Sequence, residues 1–151
     1  MATVVDGILR IISKNPQEDR NTVRRPQNKN AGRKSLTSVR GLPLRDFYVD
    51  GNDKAIYDIL CNYFAAVAKQ IWSPAGQNSY LKKTVGIQAA FDILRELLVS
   101  RAASAANYST EALEILLAPC SELDPAGDKY QASGIGRSEI RKELKHAIGM
   151  D

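Results

Sequence analysis

Histidine and cysteine are scarce in this chain: one His, His146, and two Cys, Cys61 and Cys120, among 151 residues. A serine or cysteine nucleophile needs a neighbouring base. The single histidine falls in the last turn of an expected helix, where a solvent-facing cation is favourably placed. Structural zinc needs clustered Cys and His, and two distant cysteines with one histidine make no cluster. Both thiols are expected to be free and buried, in a reducing cytoplasm. No run approaches about 18 uncharged apolar residues, so no membrane span is expected. The opening Met1-Ala-Thr-Val-Val-Asp-Gly has neither the basic region nor the apolar block of a secretory signal. The carboxylate pairs Asp50/Asp53 and Asp124/Asp128 flank turns, which accounts for them. The chain is therefore expected to be non-enzymatic, with no cofactor and no metal.

What is present argues for helices. Hydrophobic residues make up 44% of the chain and charged residues 25%, close to globular averages and enough for one core. One helical domain over 1–151 is expected. Ile56, Ile59, Leu60, Tyr63, Phe64, Val67 and Ile71 recur at threes and fours, the pattern of one buried stripe. That predicts a helix over 54–72, stopped by Pro74 and Gly76. Val85, Ala89, Ile93 and Leu97, with Leu94, Leu98 and Ala102, predict a second over about 83–105. The two are expected to pack antiparallel, burying Tyr63, Phe64, Ile93, Leu94 and Leu97. Shorter helices are predicted over 4–12, over 110–118 behind a Ser109 cap, and over 138–148 before Gly149. Ser35 is expected to open a short turn carrying Leu36 and Val39, and 121–134 to be loop. The fold class is all-α: a compact orthogonal or antiparallel helical bundle with a long basic loop near the N-terminus.

Charge is unevenly spread. Residues 14–45 hold nine Lys/Arg against two Asp/Glu, a balance of +7, and the remainder holds twelve against fifteen, a balance of −3. Residues 13–35 contain Pro16 and Pro26 and few apolar groups, which predicts a mobile basic loop. Its cations are Arg20, Arg24, Arg25, Lys29, Arg33 and Lys34. A forked guanidinium suits phosphate, and Asn21, Gln27, Asn28 and Asn30 supply amides able to reach sugars or base edges. No aromatic lies among them for base stacking. The candidate partner is DNA or RNA. The alternative is a protein-interaction module whose loop docks on an acidic partner.

A second candidate is Ser133-Gly134-Ile135-Gly136-Arg137 before the last helix. Backbone N–H groups at a helix start attract phosphate, so Gly134, Gly136, Arg137 and Arg141, with Lys142, form a candidate anion site. It lacks the lysine of a P-loop and the third glycine of a dinucleotide fingerprint. A small phosphate- or nucleotide-binding protein is the corresponding alternative.

Leu81-Lys82-Lys83-Thr84-Val85-Gly86-Ile87, followed by Phe91, Ile93 and Leu94, and the tail Ser133-Gly-Ile-Gly-Arg-Ser-Glu-Ile-Arg141 resemble the C-terminal helical part of DGQHR-domain proteins. The family's namesake box is Asp-Gly-Gln-His-Arg. Here Asp6-Gly7-Ile8-Leu9-Arg10 lacks its glutamine and histidine. The resemblance therefore implies a stand-alone or truncated C-terminal half and brings over no enzymatic or nucleotide-dependent role. Members occur among DNA-modification and mobile-element genes, and some resemble regulators of DNA phosphorothioation. The resemblance thus implies a DNA-related setting.

Overall fold

The computed structural model describes residues 2–25, 32–101, 108–131 and 134–150. Its architecture is an all-α bundle, with no strand among the described residues. The helices are α1 (Ala2–Ile12), α2 (Pro16–Arg24), α3 (Arg45–Val49), α4 (Asp53–Val67), α5 (Thr84–Arg101), α6 (Thr110–Leu117) and α7 (Gly134–Ala147). No helix is long and apolar enough to cross a membrane.

The periodic stripes became the core. Ile56, Ile59, Tyr63, Val67 and Ile71 from the α4 segment are buried, as are Val85, Ala89, Ile93, Leu94, Leu97 and Leu98 from α5. Phe64 is only half-buried at the edge of this cluster. Asn52 caps α4 through its side chain. The last turn of the predicted 54–72 helix widens over Ala68–Trp72, where Ser73 N–H donates to Ala68 O at 2.8 Å, five residues back. The predicted end of α5 over 102–105 lies outside the described residues.

The expected direct packing of α4 on α5 is corrected: their backbones scarcely approach each other. The tightest helix pairs are α5 with α7, α4 with α6 and α1 with α5. Large side chains stand between α4 and α5. The Phe64 and Phe91 rings lie 4.8 Å apart, and the buried Tyr63 hydroxyl donates to Ala90 O at 2.7 Å. Aromatic contact replaces close backbone approach there. α1 comes nearer to α5 because Gly7 rests on Phe91: a Cβ at Gly7 would meet that ring at 2.4 Å.

Further expectations are corrected, that of a buried Cys61 among them. Residues 16–24, expected within a mobile loop, form α2. The last helix begins at Gly134 rather than Ser138, so Gly136 is helical. The expected loop over 121–134 also contains 3₁₀ turns at Ala118–Glu122 and Asp128–Tyr130. Cys61 is exposed, whereas Cys120 is buried. Burial pushes the Cys120 thiol up to about 11, so it stays protonated at neutral pH and acts as a small apolar side chain.

Candidate nucleic-acid interface

α2 forms despite its polarity because Asn15 caps its N-terminus. The Asn15 side chain accepts from Glu18 N–H at 3.2 Å and donates to Glu18 Oε2 at 3.3 Å. Pro16 occupies the first turn, where its missing N–H costs nothing, and Glu18 and Asp19 complement the helix dipole. Arg25 is extended, as the residue before Pro26 tends to be.

Arg45 anchors this helix to the body. It is 5% exposed. Its guanidinium donates through Nη1 to Asp19 Oδ2 at 2.7 Å and through Nη2 to Asp19 Oδ1 at 3.0 Å. It also donates to Ile12 O at 3.1 Å and to Thr37 O at 2.5 Å. One side chain thereby joins the end of α1, the first turn of α2, the Thr37 segment and α3. Ser13 Oγ adds a hydrogen bond to Asp19 Oδ2 at 2.5 Å. The Arg45 bond holds the Asp19 carboxyl below its ordinary range, against the opposing effect of burial and with help from Ser13.

With α2 fixed, its arginines have a defined placement. Arg20 and Arg24 are one helical turn apart and therefore share a face. They border a groove of about 230 Å³ whose floor includes Leu9, Ile12, Val23 and Tyr48. Arg20, Arg24, Arg25 and Lys34 are exposed, and no ion pair or hydrogen bond joins them to another described side chain. Arg33 is different: it pairs with Asp53, and its guanidinium carbon lies 4.1 Å from the centre of the Tyr48 ring. Lys29 lies outside the described residues, as do Gln27, Asn28 and Asn30. Lys14, Arg10 and Arg40 extend the set of exposed cations without an ion pair among the described residues.

The second candidate is built otherwise. Gly136 is buried beneath the preceding turn, and a Cβ there would lie 2.5 Å from Gln131 O and 2.7 Å from Tyr130 O. The glycine serves this close approach. Arg137 Nε donates to Asp92 Oδ2 at 2.6 Å, and a second bond links its Nη2 to Asp92 Oδ1. Arg141 Nε donates to Glu96 Oε1 at 2.6 Å, and Lys145 reaches Glu96 Oε2 at 3.0 Å. Asp92 and Glu96 on α5 thus face Arg137, Arg141 and Lys145 on α7, each series at four-residue spacing. These cations close a helix–helix seam, and Lys142 pairs with Glu139 on its own helix. Gly134 is exposed at the helix start. No cluster of His, Cys, Asp and Glu able to hold a metal ion occurs among the described residues. Comparison of the chain with protein-family models, curated proteins and solved structures gave no match.

Sequence reasoning missed Arg45, whose importance depends on a partner 26 residues away. The signal that could have exposed α2 was Asn15-Pro16-Gln17-Glu18: a cap, a first-turn proline and an acidic third position.

Proposed function

We propose that this protein is a non-catalytic, nucleic-acid-associated helical domain whose contact surface is the basic face around α2. The observation that carries the reading is the absence of an ion pair for Arg20, Arg24, Arg25 and Lys34 among the described residues. Neighbouring Arg33 and Arg45 each have a carboxylate partner. An exposed guanidinium without an internal partner keeps its donors for a phosphate. Helical placement of Arg20 and Arg24 reduces the ordering cost of binding relative to a free loop. The resemblance of 81–87 and 133–141 to DGQHR-domain proteins points toward the same DNA-related setting.

Titration of the full chain with duplex DNA over a range of salt tests the reading. Each phosphate neutralised contributes a log–log slope of about −0.9, so four cations give roughly −3.6. No binding to DNA or RNA at low salt rules the reading out. Binding to an acidic polypeptide under those conditions leaves a protein-interaction module in its place.

A further inference from the structure

A separate cleft of about 270 Å³ lies between α1, α5 and α7, with Leu42 also in its lining. Its charged lining is Arg10, Lys14, Arg95 and Arg137 against Asp6 and Asp92. Asp92 is already engaged in a bidentate pair with Arg137, which matches its charge. That leaves Arg10, Lys14 and Arg95 facing a single carboxylate, Asp6.

The three cations differ in how they are held. Arg95 Nε donates to Gly41 O at 3.0 Å, which fixes the base of its guanidinium and leaves its terminal nitrogens without a carboxylate. Gly41 accepts this approach in a turn with φ of 85°, a conformation suited to glycine. Arg10 and Lys14 have no ion pair among the described residues. Thr3 and Gln88 supply neutral polar groups, while Phe91 and Ile11 add apolar lining. The Gly7–Phe91 approach sets the spacing between α1 and α5 at this point.

We propose that this cleft is a binding site for a phosphate-bearing small molecule. A positively lined cleft with low-dielectric walls concentrates anions. A forked guanidinium held in place favours a multi-oxygen anion over a halide. The volume is at the small end of ligand pockets, fitting a phosphoryl group carrying one modest apolar or planar moiety. The site is distinct from the α2 face: Arg20 and Arg24 do not line it. A free phosphorylated metabolite and the terminal phosphate of a nucleic-acid strand present the same chemistry.

The test uses the full chain at low ionic strength, titrated calorimetrically with inorganic phosphate, pyrophosphate and AMP. Saturable binding of at least one probe is expected. Arg10→Gln with Lys14→Gln should weaken it about tenfold or more through loss of two charge-assisted contacts. Both residues are exposed and without an ion pair among the described residues, so the double variant should fold, which its melting curve verifies. Arg20→Gln with Arg24→Gln should weaken duplex binding yet leave phosphate-probe affinity intact, separating failure of this site from failure of the nucleic-acid reading. Competition by 5′-phosphorylated against 5′-hydroxyl oligonucleotide identifies the source: preference for the phosphorylated strand assigns a strand end, and equal competition assigns a free small molecule. Absence of saturable binding to all three probes overturns the proposal. Equal affinity in wild type and Arg10→Gln/Lys14→Gln overturns it as well.

Discussion

Arginines on α7 and arginines on α2 have the same chemistry and opposite fates. On α7, Arg137 and Arg141 meet Asp92 and Glu96 across the seam with α5. On α2, Arg20 and Arg24 project into solvent without an ion pair among the described residues. The same four-residue spacing on a helix therefore yields an internal fastener in one place and an open electrostatic surface in the other. What decides is whether a carboxylate ladder of matching period lies opposite. α5 offers one, whereas among the described residues α2 has an opposing partner only at its base, where Asp19 meets Arg45. Charge by itself does not mark a binding surface; charge that the fold leaves without a carboxylate partner is what the proposed reading rests on.

The largest expected effect is at that base. Arg45→Ala leaves the part-buried Asp19 without its guanidinium partner; loss of one member of a fully buried pair costs about 3–5 kcal/mol, which is the upper bound here. Chemical denaturation measures the loss, and amide exchange should show α2 opening first. Retained protection of α2 in this variant would sever the link between the clasp and the basic face. Leu94, fully buried in the core, sets the scale for ordinary packing. Leu94→Ala should cost about 2–5 kcal/mol without changing the order in which helices open. Gly136→Ala drives a Cβ against two backbone oxygens. It should destabilise by about 1–3 kcal/mol, and an unchanged melting temperature would return Gly136 to a ligand role.

Acid sharpens the contrast further. The Asp19 carboxyl is held below its ordinary value chiefly by Arg45. Its contribution is therefore fully present above the ordinary carboxylate range near pH 3.9 and is lost as pH falls through the lowered folded-state value. Stability measured from neutral to strongly acidic pH should fall less steeply in Asp19→Asn, which has already lost the titrating group. The smallest effects come from the two arginine sets themselves. Arg141→Gln removes a partly exposed pair worth up to about 1 kcal/mol. Arg24→Gln should change stability by less than about 0.5 kcal/mol.

The long helices were legible because their evidence is local: apolar residues at threes and fours over 54–72 and 83–101 fix both type and buried face. α2 was not, because it carries no apolar stripe and contains no buried residue. Its stability comes from the Asn15 cap and from a side chain in α3, and pairing across 26 residues leaves no periodic trace. α7 was read as starting late because Gly134 and Gly136 look like loop punctuation. The structure shows that Gly136 is small for the sake of a neighbouring backbone. The basic candidates were correctly picked out as cations, but which of them are neutralised depended on Asp53, Asp92 and Glu96. Those partners lie 20 or 45 residues distant from Arg33, Arg137 and Arg141.

The central claim is that partnering, rather than the number of cations, locates the proposed nucleic-acid surface, and the salt slope of duplex binding tests it most directly. Arg20→Gln/Arg24→Gln/Arg25→Gln should flatten the log–log slope by about 2.7, at roughly 0.9 for each lost phosphate contact. Arg141→Gln/Lys142→Gln, which removes two cations paired within the fold, should leave the slope unchanged. Equal flattening by both variants, or no flattening by the first, would contradict the account.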